Sequence, residues 1–239
     1  MKIALIGYGK MGKAIEEIAL AKGHEIVVKI TSKNKEECTA ENLKKADVAI
    51  EFTGPESAYK NIVQCLEANV AVISGSTGWT ENLDKVKELC NKLKGTFLYA
   101  SNFSVGVNLF FELNNYLAKL MHSHSDYNVL IEEIHHTQKK DAPSGTAITL
   151  AEQILQQITT KKNWVNAISE NQNDLSIISK RIDPAPGTHK IQYTSAIDDI
   201  EIIHTAHNRK GFASGAVVAA EFIKNKVGIF TMKQVLGFE

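Results

Sequence analysis

The first hundred residues alternate short aliphatic runs with amphipathic segments, and this alternation limits the possible fold more than any other feature. The strand-like runs are residues 3–6, 25–30, 48–52, 70–74 and 96–101. Most of them are apolar at every position, which is typical of strands buried on both faces of a parallel sheet. The helical segments between them include residues 11–22, 57–68 and 82–93. Strict alternation predicts right-handed βαβ units and a Rossmann-type, doubly wound α/β sheet.

The pattern changes after residue 102. Here the sequence predicts helices at residues 107–120 and 144–158 and strands at residues 127–134, 176–182, 189–196 and 200–206. The last three strands alternate with period two, and a turn at Asp198 and Asp199 joins the final pair, so we expect antiparallel strands in a smaller α+β domain. A final helix at residues 214–224 is expected to pack on the first domain. The predicted domains are residues 1–103 with 211–239, and residues 104–210.

Composition excludes several classes of protein. The chain of 239 residues is 44% hydrophobic, and its 27 basic and 27 acidic side chains cancel. This composition is enough for a core, and the absence of a basic excess argues against a nucleic-acid or membrane partner. The cysteines, Cys38, Cys65 and Cys90, are too far apart for a CxxC pair and predict reduced thiols. With no apolar run of membrane-spanning length, we expect a soluble cytoplasmic protein.

A glycine loop follows the first predicted strand. Its sequence fits G-x-G-x-x-G, with the residues Gly7, Tyr8, Gly9, Lys10, Met11 and Gly12. The pattern alone is weak, but here the first glycine follows a strand and the third lies in the first turn of a helix. A helix N-terminus with free N–H groups suits a pyrophosphate. The loop therefore predicts binding of a dinucleotide.

The residues at the end of the second strand indicate which dinucleotide is bound. An acidic residue there would hold the ribose 2′-hydroxyl of NAD, but the chain continues with Thr31, Ser32 and Lys33. No carboxylate repels a 2′-phosphate at these positions, and Ser32 and Lys33 could bind one. We therefore predict a preference for NADPH, with NADH as the alternative cofactor.

Residues 133–146, EIHHTQKKDAPSGT, carry the densest chemistry in the sequence. In a strand Glu133 and His135 share one face while His136 faces the other. Ser144 after Pro143 is a good N-cap, so the amides that follow should be unpaired donors at a helix start. With Lys139 nearby, this segment predicts a binding site for a carboxylate or phosphate.

This segment resembles the 4-hydroxy-tetrahydrodipicolinate reductase (dihydrodipicolinate reductase) family of the lysine and diaminopimelate pathway. The family motif E-x-H-H-x-x-K-x-D-A-P-S-G-T matches at Glu133, His135, His136, Lys139 and residues 141–146. Residues 75–78 (GSTG) are similar to the family's G-T-T-G loop, and residues 100–108 and 212–216 support the match. The resemblance spans nearly the whole chain.

The resemblance implies roles for individual residues. His135 would be the general acid or base and Lys139 a proton donor, while the substrate's carboxylates would be bound by His136, Lys139, Gly145 and Thr146. The cofactor would be lined by the glycine loop together with Gly75, Ser76, Thr77, Ala100, Ser101, Asn102 and Phe103. The reaction would reduce a cyclic, imine-like dicarboxylate with NADH or NADPH and release water. The second domain would bind substrate and assemble a homotetramer through its sheet.

Three other functions fit parts of the sequence. Another Rossmann dehydrogenase, such as an aspartate or homoserine dehydrogenase, would share the two-domain plan but not the histidine motif. A metal-dependent enzyme could use His122, His124, His135 and His136, although no carboxylate or cysteine set completes such a site. A non-catalytic NADP-binding sensor would bind cofactor without turnover. His189, His204 and His207 are predicted to be packing or interface residues.

Overall fold

The computed structural model describes residues 1–208 and 210–238. The chain divides into two compact units, which are described separately. Unit 1 comprises Met1–Val105 with Arg209–Glu239, and unit 2 comprises Gly106–Asn208. Among the described residues, no helix is long and apolar enough to cross a lipid bilayer.

Unit 1 begins with strands and helices in strict alternation. In chain order they are β1 (Lys2–Ile6), α1 (Lys10–Ala21), β2 (Glu25–Ile30), α2 (Ala40–Leu43), β3 (Val48–Glu51), α3 (Pro55–Glu67), β4 (Ala71–Ser74), α4 (Leu83–Leu93) and β5 (Thr96–Tyr99). The strands β1, β3 and β4 are almost wholly buried, as continuous aliphatic runs predict for a sheet covered on both faces.

Unit 2 contains the middle of the chain. Its elements are α5 (Val105–Met121, whose first residue belongs to unit 1), β6 (Asn128–His135), α6 (Gly145–Gln157), β7 (Asn163–Val165), β8 (Asp174–Arg181), β9 (Gly187–Thr194) and β10 (Asp199–Ala206). The chain then returns to unit 1 as α7 (Lys210–Ile223), β11 (Gly228–Phe230) and α8 (Met232–Leu236).

The sheet of unit 1 is parallel and doubly wound. Over the described residues its strand order is β11-β5-β4-β3-β1-β2. Side chains of α2, α3 and α4 form a core on one face, while α1, α7 and α8 cover the other. The helix predicted at residues 214–224 corresponds to α7 and packs on this sheet, as expected. The predicted α/β fold class is confirmed. The short elements α2, β11 and α8 were not predicted.

The sheet of unit 2 differs in part from the prediction. Its order is β10-β9-β6-β8-β7. The antiparallel expectation is confirmed for β9, which pairs antiparallel with β6 and β10, but it is wrong for β8, which pairs parallel with β6 and β7. A crossover that contains a helix lets two strands run parallel, and α6 lies in the connection from β6 to β8. The segment at residues 163–174, for which no strand was predicted, contains β7.

One face of this second sheet carries the core of unit 2. Val129, Ile131, Ile177 and Ile191 pack with residues of α5 and α6. Since side chains alternate along a strand, the intervening residues of β6, β8 and β9 lie on the opposite face. The register also pairs Glu133 with both Ser179 and His189. The strand pairing thereby gathers polar residues that are far apart in the sequence.

Candidate active site

The glycine loop of unit 1 has the close backbone packing that a dinucleotide site needs. Gly7 has a φ of +98°, and a Cβ there would lie 2.0 Å from the Phe52 carbonyl oxygen. A Cβ on Gly12 would lie 2.4 Å from the Gly7 carbonyl oxygen, whereas a Cβ on Gly9 would meet nothing within 4 Å. The outer two glycines therefore permit the tight turn and the packing of α1. The middle glycine leaves open space where a pyrophosphate can approach the backbone.

A pocket of about 500 Å³ lies at this loop. Three loops line it: residues 9–11 before and within α1, residues 52–55 after β3, and residues 75–77 after β4. The structure thus brings together Gly9, Lys10, Met11, Gly75, Ser76 and Thr77, which are six of the predicted cofactor residues. An open backbone at a helix N-terminus, with a lysine beside it, fits the pyrophosphate of a pyridine dinucleotide.

The remaining residues of the glycine loop and the end of β2 have other partners. The Tyr8 hydroxyl donates to Glu16, which also pairs with Lys29 at 2.5 Å. Thr31 donates through its amide and its hydroxyl to the Asn34 side chain, at 2.7 and 2.6 Å. These bonds fix the turn after β2. Ser32 and Lys33 follow with exposed side chains, which leaves both of them accessible to a ligand.

The four predicted residues after β5 are not among the residues that line this pocket in the described chain. Ala100 is half-buried and Ser101 is exposed. The Asn102 side-chain oxygen accepts a hydrogen bond from the Ser104 amide at 2.9 Å. Phe103 is buried with its ring centroid 5.6 Å from that of Phe52, so it supports the pocket wall from behind. Their contact with cofactor stays a prediction.

Unit 2 contains a buried polar cluster around Glu133. The Glu133 carboxylate is completely buried, and both its oxygens accept from the Ser144 amide at 3.1 Å. It also accepts from the Ser179 hydroxyl at 2.7 Å and the Arg181 guanidinium at 3.3 Å. Burial raises the pKa of Glu133, but hydrogen bonds from His189, Ser144 and Ser179 outweigh that effect and lower it strongly. Glu133 is therefore an anion at neutral pH.

His135 lies beside this carboxylate and is only 8% exposed. Its Nδ1 is 3.5 Å from Glu133 Oε2 and has no hydrogen-bond partner in the part of the chain that the structure describes. Burial, together with the charges of His189, Lys139 and Arg181, lowers the pKa of His135 from 6.5 to about 4, and Glu133 only partly opposes this. The imidazole is consequently neutral at physiological pH.

Lys139 and His136 lie on the turn that follows β6. The Lys139 ammonium is 2.9 Å from both carboxylate oxygens of Asp141. This pairing lowers the pKa of Asp141 despite its partial burial. His136 is half-buried and lies near Asp183, which accepts from the amide and hydroxyl of Thr137. The two predicted catalytic residues, His135 and Lys139, are close enough for the Lys139 charge to lower the pKa of His135. Each of them has a carboxylate neighbour, Glu133 for His135 and Asp141 for Lys139.

The start of α6 confirms the predicted N-cap. Ser144 caps the helix, since its hydroxyl oxygen accepts from the Ala147 amide at 3.2 Å. The same oxygen is 3.1 Å from His189 Nε2. Gly145, the first helical residue, is exposed, and a Cβ there would meet nothing within 4 Å. Thr146 follows it in the first turn. The helix thus has the cap that the sequence predicts, and binding of an anion at its N-terminus stays a prediction.

The sequence motifs include neither Arg181 nor His189. Arg181 donates to Glu133 and to the Asp141 carbonyl oxygen, at 3.3 and 2.6 Å, and so connects the strand to the turn that carries Lys139. His189, predicted to be a packing or interface residue, is buried, and its ring centroid lies 5.1 Å from that of His135 inside the polar cluster. Only strand register brings these residues together. A single sequence shows no signal for that register.

The metal-enzyme alternative does not match the positions of its histidines. His122 and His124 line a polar cavity of about 790 Å³ around the start of β6, whereas His135 is the last residue of that strand. Eight strand residues extend about 23 Å, so the four histidines are not one site. The described residues do place Glu133, His135 and His189 within ligand distance of one another. However, the Glu133 oxygens already accept from Ser144, Ser179 and Arg181.

The folds and sites define a class of protein. A doubly wound sheet with a glycine loop at a helix N-terminus, together with a second unit that contains buried acid–base groups, is typical of a pyridine-nucleotide-dependent oxidoreductase. The family description "Dihydrodipicolinate reductase, N-terminus" matches residues 1–103, and "Dihydrodipicolinate reductase, C-terminus" matches residues 106–236. The chain belongs to the dihydrodipicolinate reductase family.

Individual relatives agree with this membership. A 4-hydroxy-tetrahydrodipicolinate reductase from Christiangramia forsetii is 52% identical, over 99% of this chain and 98% of its own. The enzyme of that name from Thermosipho africanus is 34% identical, over 99% and 98%. A solved structure of dipicolinate-bound dihydrodipicolinate reductase from Paenisporosarcina sp. TG-14 has a TM-score of 0.76 at 23% identity and covers 97% of each chain. That likeness concerns the fold alone.

The lowered pKa of His135 predicts a pH-dependent stability. Between about pH 4 and pH 6.5 the unfolded chain binds a proton at this ring and the folded chain does not, so the free energy of unfolding decreases as pH falls through that window. For His135 alone the decrease from about pH 7 to about pH 5 is about 2 kcal/mol. Urea unfolding of wild type and His135→Gln at both pH values measures it.

We expect the His135→Gln variant to lose less stability over this interval than the wild type. The exposed His124 provides the matched control, because His124→Gln should keep the wild-type pH dependence. Equal pH dependence in wild type and His135→Gln would contradict the lowered pKa.

Proposed function

We propose that this chain reduces 4-hydroxy-tetrahydrodipicolinate to tetrahydrodipicolinate with NADPH or NADH, in the formation of lysine and diaminopimelate. The observation that carries the proposal is the cluster of His135, Glu133 and Lys139 beside the open N-terminus of α6. The reaction consumes one hydride and one proton and releases one water. The pyridine nucleotide supplies the hydride.

The substrate has two carboxylates, and unit 2 has matching donors. We assign them to Lys139, His136 and the first amides of α6, at Gly145 and Thr146. A helix N-terminus and an ammonium group both stabilise a carboxylate, and such charge-assisted hydrogen bonds are stronger than neutral ones. The proposed cofactor domain, residues 1–103 with 211–239, lies within unit 1, and residues 104–210 are the proposed substrate domain.

The proposed proton transfer follows from the charges in unit 2. The Lys139 ammonium, paired with Asp141, is the donor that is already protonated in the free chain. His135 is neutral there, because its pKa is about 4. A bound dianion near the imidazole raises this pKa, since an opposite charge favours the protonated form. His135 then takes up a proton and acts as general acid, while Glu133 fixes its position and stabilises its charge.

Substitution of the two proton-carrying residues tests this proposal. We expect His135→Gln and Lys139→Ala each to lower kcat by about two orders of magnitude or more, as removal of an acid–base group does. Oxidation of NADPH or NADH is followed while substrate is generated from pyruvate and aspartate semialdehyde. The exposed neighbour Lys140 gives the matched control, and Lys140→Ala should retain wild-type activity.

Two results would reject these assignments. Cofactor binding without turnover by the wild type would favour the sensor alternative. Activity within about threefold of wild type in both variants would remove His135 and Lys139 from proton transfer.

We propose NADPH as the preferred cofactor. Ser32 and Lys33 are exposed after β2, and Thr31 and Asn34 hold the turn that presents them. The nearby carboxylate of Glu37 is engaged by the Asn34 side-chain amide, which donates to it at 2.8 Å. The turn offers the Ser32 hydroxyl and the Lys33 ammonium to a 2′-phosphate.

Steady-state kinetics with both cofactors measures the preference. We expect the wild type to have the higher kcat/KM with NADPH, and Lys33→Ala to lower that value about fivefold while the NADH value stays within about twofold. Lys35→Ala, also exposed, is the matched control. Equal or better efficiency of the wild type with NADH would overturn the preference.

A homotetramer assembled through the second sheet is part of the same proposal. The face opposite α5 and α6 combines the ion pairs Lys180–Glu132 and Lys190–Glu201 with apolar side chains such as Ile203, which is 57% exposed. An apolar surface between ion pairs suits contact with another copy of the chain. A cytoplasmic location, and the absence of nucleic-acid and membrane partners, stay predictions from the sequence.

The mass in solution tests the assembly. Light scattering should give about four chains for the wild type and a smaller particle for Ile203→Glu, because a buried unpaired carboxylate is costly. Ile197→Glu is the matched control, since Ile197 is 88% exposed in the turn between β9 and β10. A monomeric wild type, or a tetrameric Ile203→Glu variant, would contradict the proposed interface.

A further inference from the structure

Glu51 is a completely buried carboxylate in unit 1 that no sequence motif identified. It is the last residue of β3, at the base of the loop that lines the 500 Å³ pocket. None of the ion pairs found among residues 1–208 and 210–238 includes it. Burial of a carboxylate is costly unless hydrogen bonds replace its lost water. Its donors therefore show what the side chain does.

Over the described residues, the donors to the Glu51 side chain are Thr53 and Ser76, which belong to the two loops that line the pocket, and Ser74, the last residue of β4. Oε1 accepts from the Thr53 amide at 2.9 Å, from the Thr53 hydroxyl, and from the Ser76 hydroxyl at 2.9 Å. Oε2 accepts from the Ser74 hydroxyl at 2.6 Å. The carboxylate thus joins the loop after β3 to the loop after β4.

Three hydrogen bonds fix the orientation of Ser76. Its hydroxyl donates to Glu51 and accepts from the Thr53 amide at 2.8 Å, and its carbonyl oxygen accepts from the Trp79 indole at 2.8 Å. The side chain is therefore turned into the protein, and it is buried. What this loop offers to a ligand is its backbone and the exposed Thr77.

The glycine before Ser76 adds a second connection between the loops. The Gly75 amide donates to the Glu51 carbonyl oxygen at 3.0 Å. A Cβ on Gly75 would lie 2.2 Å from the Phe52 ring, so the backbone lies directly on that ring. Glu51 therefore connects the two loops through both its side chain and its carbonyl oxygen.

The position in the sheet indicates which half of the cofactor these loops meet. In a doubly wound sheet the pyrophosphate lies at the loop after β1, and the adenosine ribose lies toward the end of β2. The strands β3 and β4 lie on the other side of β1 from β2. Their loops therefore face the nicotinamide half.

We propose that Glu51 is a positioning residue that shapes the site for the nicotinamide half of the cofactor by holding Thr53 and Ser76 in place. The proposal rests on the proposed cofactor function of unit 1. Glu51 does not contact the cofactor itself. Its loss should weaken binding of a whole dinucleotide but not of the adenosine half.

The test compares two ligands on Glu51→Gln. An amide has one acceptor oxygen where the carboxylate has two, and its NH2 group meets groups that donate to the carboxylate, so the hydrogen bonds that join the loops weaken. Dissociation constants are measured for NADPH by protein fluorescence and for 2′,5′-ADP by calorimetry. We expect NADPH to bind about tenfold more weakly and 2′,5′-ADP to bind within about twofold of wild type. Glu67→Gln, an exposed residue at the end of α3, should leave both constants unchanged.

If Glu51→Gln does not fold, which circular dichroism would show, a second variant tests the same role. Ser76→Ala keeps Glu51 and its hydrogen bonds from Thr53 and Ser74, and it should give the same selective loss for NADPH, about threefold. If both ligands weaken together, or if neither changes in the folded variant, Glu51 has no positioning role for this half. Failure of the wild type to bind either ligand would instead refute the cofactor function itself.

Discussion

A carboxylate without access to water must find its hydrogen-bond donors inside the protein, and Glu133 finds them on three segments besides its own strand. Ser144 begins α6, Ser179 and Arg181 belong to β8, and His189 belongs to β9. A buried charge with satisfied partners strongly disfavours any arrangement that separates them. The positions of β6, the N-terminus of α6 and the turn that carries Lys139 therefore depend on this one group.

The same carboxylate sets the chemistry available to His135. Burial and the neighbouring positive charges keep the imidazole neutral, while Glu133 stands 3.5 Å away to stabilise its protonated form. Negative charge near the ring favours its protonated form. In the proposed function this response supplies the acid catalyst, because the proton arrives with the dianionic substrate.

Both units use a buried glutamate toward the carboxyl end of a strand. Glu51 joins two loops beside the dinucleotide pocket, and Glu133 joins a helix start and two strands beside His135. The net charge of the chain is zero, yet Glu133 and the nearby Lys139 and Arg181 place charge at specific points. Local arrangement, and not total charge, determines which ligands the units can bind.

The sequence by itself determined the parallel sheet, the glycine loop, the cap at Ser144 and the segment with His135 and Lys139, because periodicity, caps and motifs are local. Tertiary structure alone decided that β8 runs parallel to β6, and that His189, Arg181 and Ser179 surround Glu133. It also decided that Ser76 turns inward toward Glu51. These contacts join residues 25 to 56 positions apart through strand pairing, and the free energy that selects a register comes from the packed whole.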